Sequence, residues 1–124
     1  ARKFNFTYLS EKLRVLDDHI VLPKATENSD PAWFGFPITI KEKNEGQRVL
    51  LLKYLNDYKI GTRLLFAGNI IRQPYFMNRK YRIVGNLKNT EIVMNQTFWI
   101  GTFPGLTKEM LDYTANRIIR FFTQ

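Results

Sequence analysis

Phe34, Phe36, Ile38 and Ile40 alternate along the chain, and on either side of them the apolar period changes. A repeat of two belongs to a strand with one buried face. Before it, Phe6, Leu9, Leu13, Leu16 and Ile20 recur at steps of three and four. That spacing predicts a helix, with Ser10 or Asn5 as candidate cap and Pro23 as its end. After it, Leu51, Leu55 and Tyr58 align, flanked by Val49 and Leu52, and predict a second helix over about Glu45 to Tyr58. Thr26–Pro31 is turn-rich.

The rest of the chain keeps switching. Gly61 suits a break before a strand over Thr62–Phe66, and Gly68-Asn69 bends the chain. Tyr75–Lys88 is polar and basic and reads as loop, followed by a short helix near Asn89–Asn95 and a strand over Thr97–Gly101. Pro104-Gly105 turns. Thr107 can cap a last helix with Glu109 in its first turn, and Leu111, Ala115, Ile118, Ile119 and Phe122 form its buried stripe. The order predicts a small two-layer α+β domain of about three mainly antiparallel strands with helices on one face. It has no internal repeat and no linker, so residues 1–124 read as a single domain.

Two details refine this. Pro37 cannot donate to a ladder, so its strand is an edge or turns the proline nitrogen outward. Trp33 and Trp99 lie out of phase with Phe34/Phe36 and Phe98/Ile100 and are expected on the opposite sheet face. Exposed tryptophans there call for a cover, either a further domain or a second subunit.

With 44% hydrophobic and 15% aromatic residues the chain can bury a core. No apolar run approaches the ~18 residues of a membrane span. The start, Ala1-Arg2-Lys3-Phe4-Asn5, lacks the apolar segment of a signal peptide. Because it does not begin with Met, either a processing scar or an excised fragment is expected. Cysteine is absent, which removes disulfides, thiolate catalysis and iron–sulfur ligation from this chain and fits a cytoplasmic setting.

The net charge of +8 is uneven. Between Tyr58 and Thr90 lie Lys59, Arg63, Arg72, Arg79, Lys80, Arg82 and Lys88 without an acid. The acids sit mainly in Ser10–Asp30, at Glu42 and Glu45, and near the C-terminus. A one-signed middle third fits an anionic partner, and it equally fits a solvated basic surface.

Most familiar chemistry finds no footing. His19 stands beside Asp17 and Asp18 with no second ligand at a metal-binding spacing, and reads as a helix-surface residue. Asp17 and Asp18 point about 100° apart on a helix, so they do not form a carboxylate dyad. GxGxxG, Walker A and GxSxG patterns are missing, and no lysine sits alone at the end of an apolar strand. What remains is the segment from Ile60 to Phe76. Arg63 and Arg72 suit forked recognition of phosphate or carboxylate. Asn69 and Gln73 can both donate and accept, and Tyr75, Phe76 and Tyr81 offer ring faces. Composition alone is also satisfied if Arg63 pairs with an acid and Arg72 faces solvent.

Three stretches carry a resemblance. They are Leu22 to Ile38 (through Pro31-Ala32-Trp33-Phe34-Gly35-Phe36-Pro37), Gly61-Thr62-Arg63 through Gln73-Pro74-Tyr75-Phe76, and Asn95 to Gly101 followed by Pro104-Gly105-Leu106-Thr107. In order and spacing they resemble the C-terminal small domain of the DegT/StrS family of sugar aminotransferases and dehydrases. These enzymes have the type I fold and use pyridoxal or pyridoxamine phosphate. The likeness is to the nucleotide-sugar 3-dehydrase branch, including the RfbH type of lipopolysaccharide synthesis.

The resemblance implies a larger N-terminal domain that binds the cofactor, and a homodimer with its active site near the domain boundary. It implies a nucleotide-diphospho-sugar substrate, a 4-keto-6-deoxyhexose on a nucleotide such as CDP, which loses its C3 hydroxyl in deoxysugar and O-antigen synthesis. It implies no catalytic residue and no metal ligand in this chain. The histidine that replaces the usual Schiff-base lysine lies in the large domain, and His19 is not its counterpart. A [2Fe-2S] cluster in the parent stays open, with no ligands for it here. By position in the motif, Asn69 and Arg72 are expected to face the sugar or its diphosphate, with Tyr75, Arg63 and Trp33 next.

Three other classes are compatible with the residues. A sugar aminotransferase of the same family would read alike, because the deciding residue lies outside the chain. A basic nucleic-acid-binding module is compatible with charge and aromatics, although the basic residues do not interleave with aromatics on one strand face. A free-standing interaction domain would share the exposed tryptophans.

Overall fold

The structure is a computed structural model, and it describes residues 1–41 and 46–124. Along the chain come α1 (Arg2–Leu13), β1 (Ile20–Val21), β2 (Gly35–Ile40), α2 (Gln47–Asp57), β3 (Thr62–Leu64), α3 (Lys88–Gln96), β4 (Thr97–Gly101) and α4 (Lys108–Thr123). Short 3₁₀ turns lie at Arg14–Leu16, Ile70–Arg72 and Pro74–Phe76. Glu42 and the expected helix start at Glu45 lie outside the described residues.

The sheet has the order β1-β2-β4-β3 and every pairing is antiparallel. Phe36 opposes Ile100 and Ile38 opposes Phe98, so one face carries a continuous apolar surface. Onto it pack Leu9 and Leu13 of α1, Leu51 and Leu55 of α2, and Leu111, Ala115 and Ile118 of α4, all fully buried or nearly so. Each of these leucines, and Ile118, contributes about 1.5–3 kcal/mol relative to exposure. Helices on one face and sheet on the other give the two-layer α+β arrangement that the alternating periods predict.

Local chemistry sets the helix ends. Thr107 Oγ1 accepts from the backbone N–H of Met110 at 3.3 Å and starts α4. Asn5, buried on α1, donates to the carbonyls of Thr102 and Phe103 at 3.2 and 3.0 Å and holds the turn before α4. Asp112 of α4 accepts from Tyr8 at 2.7 Å and pairs with Lys12 at 2.9 Å, which fastens α1 to α4. Those two partners, Tyr8 first, hold the Asp112 carboxyl below its ordinary range. Arg48 of α2 donates to the carbonyls of Met94 and Thr97, at 2.6 and 3.2 Å, where α3 passes directly into β4.

Five expectations are corrected. The first helix ends at Leu13, because Arg14–Leu16 tightens into a 3₁₀ turn. Ile20 then enters the core from a strand, opposite Ile40, which adds a fourth strand. Asn5 and Ser10 lie inside α1 and do not cap it. The third strand stops at Leu64, two residues short of Phe66. Trp33 precedes β2 and stacks on Phe6, with ring centroids 4.1 Å apart and planes 3° apart, so it packs against α1 and only borders the opposite face. Pro37 resolves as an interior strand with one free side: β1 pairs only with Thr39 and Ile40. Among the described residues, no helix is long and apolar enough to cross a membrane.

Candidate functional site

The face away from the helices is open. Cross-strand partners share a face, so Pro37, Trp99 and Arg63, which oppose one another in register, form one row across it. The Trp99 indole lies flat over the backbone of Gly35, where any Cβ would meet its ring at 1.8 Å. Its Nε1 donates to the carbonyl of Leu64 at 3.1 Å, which fixes the ring toward β3. Phe34 and Phe66 flank it at centroid distances of 4.6 and 6.2 Å. Both are bare to solvent, at 72% and 81% exposure. With Trp33, Pro37 and Leu65 these residues outline a shallow apolar recess of about 160 Å³. This exceeds what scattered surface apolar residues explain.

Beside this face the chain leaves β3 and folds into the two 3₁₀ turns. Gly68 has φ +63° and packs against Met94 of α3; a side chain there would be both strained and blocked. Asn69 follows and is buried at 2% exposure. Its Oδ1 accepts from the N–H of Ile71 at 3.3 Å and caps the first turn. Its Nδ2 donates to Glu91 Oε1 at 2.6 Å. Arg72 Nε donates to the same oxygen at 2.9 Å. Gln73 Nε2 donates to the carbonyl of Ala67 at 2.6 Å and closes the loop on itself. Glu91 sits in the first turn of α3, where the helix dipole favours an anion. Arg72 above all, then Asn69, hold its carboxyl below the ordinary glutamate range.

The expected site residues therefore divide. Asn69 and Arg72 are brought together on Glu91, but Asn69 turns its amide into the loop while the Arg72 side chain is 62% exposed. Arg63 is exposed in the Trp99 row, with Nη1 donating to the carbonyl of Thr62 at 3.1 Å. Tyr75 is exposed and lies under the Arg79 guanidinium, 4.7 Å from the ring centroid. Trp33 borders the apolar recess from the other side. Sequence reasoning missed Glu91, whose signal was its place as the first acid after a long basic stretch, in a helix's first turn. It also missed Phe34 and Phe66 as part of the open face; alternation with Phe36 puts Phe34 in the core-facing phase, but β2 begins only at Gly35.

His19 is half-buried, with its ring 5.1 Å from that of Phe122. Among the described residues no group of three His, Cys, Asp or Glu side chains is placed to hold a metal ion. Lys59 borders an apolar recess beneath α4, on the helix side and itself exposed, so among the described residues this recess offers no buried lysine for a pyridoxal group.

Comparison with known proteins adds the following. Residues 1–119 match the model of the DegT/DnrJ/EryC1/StrS aminotransferase family. The chain is 60% identical over 121 residues to the lipopolysaccharide biosynthesis protein RfbH of Salmonella typhimurium, covering 98% of this chain and 28% of that protein. It is 46% identical over 121 residues to the dTDP-4-dehydro-2,6-dideoxy-D-glucose 3-dehydratase of Saccharopolyspora spinosa, covering 98% and 26%. The chain thus spans less than a third of the curated relatives it matches. Its fold matches part of the E. coli GDP-4-keto-6-deoxy-D-mannose-3-dehydratase solved with bound hydrated PLP, at TM-score 0.82 and 22% identity over 94% of this chain and 29% of that one.

Proposed function

The chain belongs to the DegT/DnrJ/EryC1/StrS aminotransferase family, and from that premise we propose that it is the C-terminal small domain of a pyridoxal- or pyridoxamine-phosphate-dependent nucleotide-sugar 3-dehydrase. The parent enzyme removes the C3 hydroxyl of a 4-keto-6-deoxyhexose carried on a nucleoside diphosphate. It serves deoxysugar and O-antigen lipopolysaccharide synthesis, in the cytoplasm, as a homodimer. The pyridoxal group supplies the electron sink for breaking the C3–oxygen bond, and it is held by the large N-terminal domain.

The observation that carries this reading is the open sheet face. A row of Pro37, Trp99 and Arg63 is flanked by bare phenylalanines and by a basic loop tied down on α3. It has the character of one wall of a cleft: apolar where another part of the protein covers it, cationic where a diphosphate enters. Its identity to relatives whose names specify lipopolysaccharide synthesis and 3-dehydration supports the substrate class. In this reading Arg72 and Arg63 face phosphoryl oxygens, Tyr75 and Trp33 border the bound nucleotide sugar, and Asn69 shapes the loop that presents Arg72.

The test is turnover by the full-length protein loaded with pyridoxamine phosphate and given a CDP-linked 4-keto-6-deoxyhexose. Mass spectrometry should report loss of the C3 oxygen. A product bearing a new sugar amine would move the parent to the aminotransferases, and an untouched substrate across several nucleotides would remove the reading.

A further inference from the structure

Glu91 is an acid in a basic neighbourhood, and simple electrostatics gives it the wrong sign for an anion site. A carboxylate beside Arg72 weakens the pull of that guanidinium on any incoming anion. The geometry gives it another task. One oxygen, Oε1, receives both Asn69 Nδ2 at 2.6 Å and Arg72 Nε at 2.9 Å. A guanidinium held through Nε retains its two terminal nitrogens as a planar fork, the edge suited to two oxygens of one phosphoryl group. Among the described residues those terminal nitrogens have no partner, and the side chain is 62% exposed. The carboxylate is itself anchored, on a helix whose Met94 packs against Gly68 at the base of the same loop. An unrestrained arginine would lose rotamer freedom on gripping a phosphate; this one has already lost part of it.

We propose that Glu91 is a positioning residue that presets the Arg72 guanidinium as a fork for one phosphoryl group of the substrate's diphosphate. This rests on the nucleotide-sugar reading of the open face. Glu91 touches no substrate. It acts through Arg72, and Asn69 acts with it by locking the turn from which Arg72 projects.

Inorganic pyrophosphate is the probe, with calorimetry on the full-length protein. Glu91→Ala should weaken binding by about tenfold, the loss expected of one charge-assisted hydrogen bond, although it removes a negative charge. Glu91→Gln, which keeps an acceptor oxygen at the same reach, should retain most of the affinity. In an Arg72→Ala background Glu91→Ala should change nothing further. Arg72→Lys, which keeps charge but has no fork, should bind more weakly than wild type, and Glu91→Asp, which keeps the charge but shortens its reach to Arg72, should weaken binding too and serves if Glu91→Ala fails to fold. Tighter binding in both Glu91→Ala and Glu91→Gln would mean that the carboxylate acts only as a charge, and would overturn the proposal. So would wild-type protein that ignores pyrophosphate yet turns over a nucleotide sugar; the function would then stand without the fork. Pyrophosphate binding with the expected Ala–Gln split but no sugar chemistry would keep the fork and remove the function.

Discussion

The indole of Trp99 occupies the space in which a side chain at Gly35 would begin, with Cε3 only 1.8 Å from the Cβ position. Gly35 is therefore a seat for Trp99, and Trp99 is a fixed floor for the open face. Gly35→Ala should force the ring off that seat and cost about 1–3 kcal/mol, as overpacking does. Urea unfolding followed by tryptophan fluorescence reads both effects. An unchanged midpoint and spectrum would show that the ring is not held.

Acidification should loosen the loop before it touches the core. The Glu91 carboxyl is held low, by Arg72 first and Asn69 second. A carboxyl depressed on folding contributes stability that is fully present above its unfolded value, near 4.5. That contribution is lost as pH falls through the lower folded value. Carbon-detected NMR should show Glu91 titrating below other glutamates, and Arg72→Ala should bring it back toward them. A Glu91 that titrates with the rest would contradict the geometry.

Arg72→Ala should separate binding from stability. Its ion pair is exposed, so the melting temperature should move little, in line with about 0–1 kcal/mol for such pairs. In the full-length protein, on the proposed function, the same change should cost about 2–5 kcal/mol of substrate interaction where the charge pair is desolvated. Steady-state kinetics with an unaltered KM and rate would take Arg72 out of the site.

The bare phenylalanines make an opposite prediction. Phe34→Ser with Phe66→Ser should leave the stability of this chain within about 0.5 kcal/mol, as surface substitutions do. In the full-length protein the pair should lower the melting temperature, as the proposed cover of this face requires. Calorimetry on both forms decides, and equal behaviour in the two would argue that nothing covers it.

How far the residues announced all this depends on what periodicity measures. Thr97–Gly101 and the α4 stripe were legible because alternation and a three-to-four step each have one structural solution there, and Thr107 adds a cap. Ile20 misled for the same reason: a core accepts a side chain from a strand as readily as from a helix, so its spacing after Leu16 says nothing about the intervening turn. Trp33 misled because strand phase has meaning only inside the strand, and β2 begins at Gly35. The basic loop was visible as charge and amides. Which amide turns inward was not, since Asn69 is buried by a partner twenty-two positions away. That separation also hid Glu91, whose role exists only once α3 lies under the loop.

The two outermost strands of the sheet are two and three residues long. So short a run of unpaired backbone offers little template for another chain to extend the ladder. A domain with a greasy, uncovered face of this kind would otherwise invite runaway fibril growth. Here the blunt margins leave an open apolar face without a long free edge beside it, so growth by strand addition is disfavoured.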